Sequence, residues 1–298
     1  MAKRYGGKER VAVTRRKFIL AIAFFVLLIL ILPLSFILIS ARASQRVTVK
    51  QVEVTLPNMP PELDGLTIAH LSDLHYGFGL YTNIRAVEDV TALVRALNAE
   101  LIVFTGDLLD HTADPQLSET SILKGLHAPL GVYAVLGNHD HAFERSTLRN
   151  TLSADGIRLL VNESIRLTRN GRSFWLVGLD DPLVGEPKLA EAMSSIPSED
   201  FVLLLVHTPD FADRSAEHNL PLQLSGHSHC GQIRLPGIGP LWLPPLGKKY
   251  PSGLRPVSSG KTYVYTNCGL GTSGVPFRLF CPPEIAFITL RVTSRQGA

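Results

Sequence analysis

The sequence predicts a layered α/β domain of two packed sheets, preceded by one membrane-spanning helix. Three observations predict it. Residues 18–40 carry no charge and are dominated by Ile, Leu, Phe, Val and Ala, longer than the roughly 20 residues needed to span hydrocarbon. Beyond residue 64, short apolar runs alternate with segments of helical periodicity, the pattern of a layered α/β domain. The apolar runs are also too numerous for one small sheet, which favours two sheets packed together.

The leader sets the orientation. Residues 1–43 hold eight Lys/Arg (Lys3, Arg4, Lys8, Arg10, Arg15, Arg16, Lys17, Arg42) against Glu9, a net +7, which leaves −4 of the total +3 for the remainder. A mildly acidic domain excludes the broad basic surface of a nucleic-acid binder. Seven of the basic residues precede the apolar run, so residues 1–17 are expected to stay in the cytoplasm and the C-terminal domain to cross the bilayer. Thr14-Arg15-Arg16-Lys17-Phe18-Ile19-Leu20 resembles a twin-arginine export signal, and Ala41-Arg42-Ala43 has the form of a cleavage site. The run is longer than the core of a cleaved signal, which favours an uncut anchor. Pro33 inside it is better tolerated in a membrane helix than in a soluble one.

Residues 41–63 read as a linker and an edge strand, with alternation from Val47 to Val54, then Pro57, Pro60 and Pro61. The domain proper, 64–298, follows without a repeat or a second linker. Strands are expected over Leu66–Leu71, Leu101–Phe104, Val132–Leu136, Ser173–Gly178, Phe201–Val206, Pro221–Leu224, Thr262–Thr266 and Glu284–Leu290. A helix is expected from Asn83 to Asn98, with Ile84, Val87, Val90, Val94 and Leu97 on one face, and another near Ser118–Leu126.

Cys230, Cys268 and Cys281 form no C-x-x-C pair and are odd in number, so neither a thiolate zinc site nor a disulfide framework is indicated. A bridge would have to join two of the three, and Cys230 is expected to be a packing thiol. His70, His111, His127, His141 and His218 are kept out of the site, and Arg278 is read as a surface arginine.

Five polar blocks stand at the ends of the expected strands: Asp73-Leu74-His75, Gly106-Asp107-Leu108-Leu109-Asp110, Gly137-Asn138-His139-Asp140, Val206-His207 and Gly226-His227-Ser228-His229. In open α/β sheets the strand C-termini converge on one crevice, so residues far apart in sequence meet there. Each block alone can be an ordinary turn or helix cap. Gly-His-x-His is the most telling, because residues i and i+2 of an extended segment point the same way. The set supplies carboxylate, amide and imidazole ligands for divalent metal.

These blocks, in this order, resemble the calcineurin-like metallophosphoesterase superfamily, with its motifs D-x-H, G-D-x-x-D, G-N-H-[DE], H and G-H-x-H. The resemblance covers about residues 64–292. Asp64–Gly77, Gly226–Pro236 and Gly269–Gly274 further resemble its YkuE/YaeI-like branch of membrane-associated or exported bacterial proteins, which has Gly where this chain has Cys230. The resemblance implies a four-layer αββα sandwich holding two divalent metal ions (Mn, Fe, Zn or similar). Asp73, His75 and His229 would hold one ion, Asn138, His207 and His227 the other, and Asp107 both. His139 would be the general acid, with Asp110 and Asp140 orienting the ligands from behind.

Elementary chemistry agrees with that assignment. One carboxylate can bridge two cations, and two cations sharing a water lower its pKa until hydroxide forms near neutral pH. An unligated histidine can protonate the leaving alkoxide. The expected function is metal-dependent hydrolysis of phosphodiesters or monoesters at the membrane, on lipid-linked or envelope substrates. The alternatives are a cytoplasmic lipid-nucleotide pyrophosphohydrolase of the UDP-diacylglucosamine type, opposed by the charge distribution, and a metal-bound interaction module without turnover, opposed by the complete ligand set.

Overall fold

The computed structural model describes residues 5–43, 45–257 and 260–293. Lys3 and Arg4 of the leader, Ser44 of the linker and residues 294–298 lie outside them. The chain divides into two compact units at residues 43 and 44.

The first unit is one helix, α1 (Tyr5–Ala43), which runs through Pro33. Its stretch Lys17–Ser40 is long and apolar enough to cross a membrane. At about 1.5 Å per residue those 24 residues span some 36 Å. The described large side chains from Phe18 to Ile39 are mostly exposed.

The second unit begins with β1 (Thr48–Leu56), β2 (Thr67–Leu71), α2 (Ile84–Ala96), β3 (Leu101–Thr105), β4 (Val132–Val135), α3 (Arg145–Ala154) and β5 (Ile157–Leu159). Next come β6 (Glu163–Arg169), β7 (Arg172–Gly178), α4 (Leu189–Ala192), β8 (Val202–Leu205), α5 (Ala212–Glu217) and β9 (Leu222–Ser225). The hairpin β10 (Arg234–Leu235) and β11 (Gly239–Pro240) precedes β12 (Gly253–Val257), β13 (Thr262–Thr266) and β14 (Glu284–Val292). One sheet has the order β1-β14-β2-β3-β4-β5 and the other β12-β13-β9-β8-β7-β6. Within them β2 to β5 are mutually parallel, as are β7, β8, β9 and β13.

Alternation along each strand makes the layers. On β3, Ile102 and Phe104 face Val87, Val90 and Val94 of α2 and Leu148 and Leu152 of α3. Leu101 and Val103 face the other way, against Phe174, Leu176, Leu203, Leu205 and Leu224 of the second sheet. The outer side of that sheet, Val202, Leu204 and Val206, packs on Leu189, Ala192 and Phe211. This is the expected four-layer αββα sandwich. Both sheets are covered on both faces, which is why their central strands read as continuous apolar runs.

Two expectations need correction and several strands were not foreseen. Asn83 caps α2 by accepting from the Ala86 amide at 3.2 Å, as its type favours, but Ile84 is turned outward. No helix forms over Ser118–Leu126: a short 3₁₀ turn, Pro115–Glu119, is followed by irregular chain. Ile122, Leu123 and Leu126 are buried there all the same, so their helical spacing reflects loop packing. The unforeseen β6 and β12 are edge strands; one is largely polar, and the other carries Pro256, which an edge tolerates.

Candidate metal centre

Every expected ligand follows a strand's C-terminus at one end of the sandwich. Asp73 and His75 follow β2, Asp107 follows β3, Asn138 follows β4, His207 follows β8, and His227 and His229 follow β9. The chain turns sharply at these points. Asp73, His75, Asp107, His227 and His229 all have positive φ, between 47° and 67°, a region that non-glycine residues pay about 1–3 kcal/mol to occupy. Strain gathered on five ligand candidates marks a site that the surrounding fold holds in place. Gly226 shows how tight the approach is, since a Cβ there would strike Ser72 Oγ and Asp73 Oδ2.

The donor atoms form two clusters that meet at Asp107. In the first, His75 Nε2 lies 3.0 Å from His229 Nε2 and 3.4 Å from Asp107 Oδ2, and His229 Nε2 lies 3.5 Å from Asp73 Oδ1. In the second, His207 Nε2 lies 3.2 Å from Asp107 Oδ2 and 3.3 Å from His227 Nδ1. Asn138 Oδ1 is buried without a hydrogen-bond partner, which would be costly in a finished structure. A cation bonded to that oxygen would satisfy it, so the donor set fits divalent metal.

Outer partners aim most of the imidazoles inward. His75 Nδ1 donates to Asp110 Oδ2 at 3.1 Å, His207 Nδ1 to the Thr105 carbonyl at 2.6 Å and His227 Nε2 to the Pro245 carbonyl at 2.8 Å. Each leaves its other nitrogen for the cluster, the arrangement that orients metal ligands. His229 differs, because its Nδ1 faces Arg278 Nη2 at 3.2 Å and a guanidinium can only donate. A cation on His229 Nε2 turns Nδ1 into a donor, so this contact weakens that ligand relative to the other three.

Burial, then the positive neighbour His207, pulls the His227 imidazole down to about 4. Burial, His75 and Arg278 hold His229 well below the ordinary histidine value. Both are therefore neutral at pH 7 and keep the lone pairs that a metal needs. Burial raises Asp107, but the charge and hydrogen bond of His207 outweigh it and hold the carboxyl ionised. Asp140 is pushed up to about 6 by burial and by Asp107 beside it.

His139 lines the cavity and lies within donor reach of His75 and Asp107. Burial opposes its protonation, yet Asp110 and Asp107 together raise its pKa. Its Nδ1 lies 3.3 Å from Asp110 Oδ2 and accepts from the His111 amide at 3.2 Å. Asp110 thus touches both His75 and His139. Asp140 acts on backbone: it accepts from the amides of Gly137, Leu108 and Leu109, clamping two ligand loops together.

The structure corrects several readings. Gly226–His229 is not extended; Ser228 turns the chain into a short 3₁₀ turn, His229–Gly231, and positive φ aims the two imidazoles at different clusters. Arg278 is wholly buried, bonded to the carbonyls of Gly271 and Cys268 as well as facing His229. Cys230 is bridged to Cys268 with Cα atoms 4.8 Å apart, because the loops after β9 and β13 converge, while Cys281 stays a buried thiol. His111 belongs to the rim, its Nδ1 at 2.8 Å from His139 Nδ1. His70 is buried, with Nε2 2.8 Å from Thr105 Oγ1, and His141 sits 3.0 Å from Asp180; neither joins the clusters.

Residues 66–231 match the family model for calcineurin-like phosphoesterases. The chain belongs to the calcineurin-like phosphoesterase family. It is 35% identical over 240 residues to the Bacillus subtilis (strain 168) metallophosphoesterase YkuE, covering 79% of this chain and 82% of that one. It is 31% identical over 228 residues to phosphodiesterase YaeI of Escherichia coli (strain K12), covering 75% and 81%. A Danio rerio transmembrane protein with metallophosphoesterase domain is 29% identical over 262 residues, 84% of this chain and 58% of that protein. The family match spans all five polar blocks up to Gly231, so this calcineurin-like phosphoesterase carries its donor set within the shared domain.

Proposed function

We propose that this chain is a membrane-anchored phosphoesterase that holds two divalent ions and hydrolyses phosphodiesters or monoesters. The observation that carries the reading is the sharing of Asp107 by two donor clusters, beside which Asn138, whose buried Oδ1 has no partner, lines the same cavity. Asp73, His75 and His229 would hold one ion, Asn138, His207 and His227 the other, and Asp107 both. Bound there, divalent ions polarise phosphoryl oxygens and make a nucleophile of water near neutral pH. Donors of nitrogen and oxygen without thiolate suit Mn, Fe or Zn, and Cys230 next to His229 is tied up in its disulfide.

The chain's own groups supply the rest. When protonated, His139 holds its Nδ1–H toward Asp110 and can give the proton on Nε2 to the departing alkoxide. The raised pKa of His139 keeps more of that proton in place near neutral pH. Asp110 couples the two roles, orienting His75 and stabilising the charged His139. The name of the relative YaeI favours a diester substrate.

For location, the positive leader favours a cytoplasmic N-terminus and an outward domain. The Cys230–Cys268 bridge supports the same side, since disulfides persist in oxidising compartments. Arg15-Arg16 favours twin-arginine export, and the length of the apolar helix favours an uncut anchor. The test is hydrolysis of bis-(p-nitrophenyl) phosphate by the purified full chain. Turnover that needs Mn²⁺, stops with chelator and returns on re-addition is expected; chelator-resistant turnover would contradict the reading. Protease protection of the domain in right-side-out vesicles would contradict the outward orientation.

A further inference from the structure

The large apolar side chains exposed on the second unit are unevenly placed. Val49, Ile84 and Leu93 stand apart and Leu183 adjoins Val184, whereas Ile238, Leu241, Trp242, Leu246, Val275 and Phe277 fall in two segments, of which Leu241, Trp242 and Val275 line the cavity at the donor clusters. Ile238 is 74% exposed, Trp242 69% and Leu241 58%. An apolar patch of this kind on a soluble surface marks a place that something covers.

The patch is continuous with the donor clusters. A cavity of about 330 Å³ has Asp107, Asn138, His139, His227 and His229 on its polar side and Ile233, Leu241, Trp242 and Val275 on its apolar side. The apolar wall is built in advance. The buried Gln232 side chain donates to the carbonyls of Ser273 and Val275, at 3.2 and 2.9 Å, and accepts from the Ser273 amide at 2.9 Å. The Leu241 amide bonds the Ile233 carbonyl at 3.1 Å, and the Cys230–Cys268 bridge joins the two loops at their base.

A water-soluble phosphate ester has no use for such a wall, because its hydration would be lost against Trp242 and Leu241 without compensation. We infer that the wall seats the apolar chain of an amphiphilic phosphate ester whose phosphate lies over Asp107, Asn138 and the histidines, a lipid phosphate in chemical class. The inference rests on the phosphoesterase reading above and narrows its substrate. The apolar helix α1 in the same chain agrees with it, since a membrane-resident enzyme meets amphiphiles at high local concentration. Trp242 suits the boundary, its ring apolar and its indole N–H able to stay wet.

The test keeps the leaving group constant and lengthens the tail, using p-nitrophenyl methyl, butyl and octyl phosphate diesters with the full chain in nanodiscs and Mn²⁺. Each methylene buried against the wall is worth about fourfold in kcat/KM. The octyl ester should therefore exceed the methyl ester by on the order of fiftyfold, equal to about three buried methylenes. A Leu241→Ser, Trp242→Ser double variant should lower that octyl-to-methyl ratio at least tenfold, while Leu93→Ser, on an exposed face of α2, should keep it. Mn²⁺-dependent turnover of the methyl ester in each variant reports that the site is folded. A flat wild-type series would overturn the inference and leave the phosphoesterase reading standing. A steep series that survives in the double variant would also overturn it, by showing that bilayer partition alone sets the preference. Absence of Mn²⁺-dependent turnover for every ester would sink the phosphoesterase reading itself.

Discussion

The two donor clusters that meet at Asp107 use the same residue types but are finished differently. Around Asp73, His75 and His229 the fold supplies partners: Asp110 for His75, the His227 amide for the Asp73 carboxylate, and Arg278 and a disulfide behind His229. Around Asn138, His207 and His227 an amide oxygen is left without one, and Asn138 and His227 open onto the cavity with His139. His229 of the first cluster reaches the same cavity, so the difference between the two lies in the unpartnered amide oxygen. Perturbations of the two should therefore be unequal.

The largest effect is expected at the residue they share. Asp107→Ala should strip both ions and lower kcat/KM by at least roughly 10³-fold, whereas Asn138→Ala should release one ion and keep the other. Metal content per chain by mass spectrometry separates these outcomes, and loss of both ions from the Asn138 variant would erase the contrast. His139→Ala should retain both ions and lose roughly 10²-fold in kcat on alkyl esters. The loss should be smaller on p-nitrophenyl esters, whose leaving group needs less protonation. Metal loss from that variant would make His139 a ligand.

Cys230→Ser with Cys268→Ser opens a loop of sequence separation 38 and should cost about 2–4 kcal/mol in thermal unfolding. It should weaken metal binding at the His229 cluster more than at the His207 cluster; equal weakening would deny the bridge its local role. The smallest effect belongs to His70, outside both clusters. Burial lowers its pKa from 6.5 to about 3. Below pH 6.5 the unfolded chain binds a proton that the folded one refuses, so stability falls as pH falls, by about 1.4 kcal/mol per pH unit down to about 3. A His70→Gln variant should lack that slope in denaturant titrations between pH 6.5 and 5.5.

Much of the donor set was legible in the sequence because carboxylate, amide and imidazole groups placed just after apolar strands have few other uses. The covered sheets were legible for a related reason, since strands buried on both faces leave continuous apolar runs such as Leu101–Phe104. What stayed hidden depends on contacts between distant segments. No local signal shows that Arg278 is buried against three carbonyls, or that the loops after β9 and β13 bring Cys230 to Cys268. The turn at His227–His229 was misread as extended because alternation in sequence cannot distinguish a strand from a turn in which His227 and His229 take positive φ on either side of a helical Ser228. The apolar wall was invisible because Leu241 and Trp242 look like core until their exposure is seen.

The central claim is that catalysis needs both clusters filled. The most direct measurement is the initial rate of bis-(p-nitrophenyl) phosphate hydrolysis by chelator-stripped full chain as Mn²⁺ is added in known equivalents. The account predicts little rate through the first equivalent and a rise that completes with the second. Full activity at one equivalent, or without metal, would contradict it.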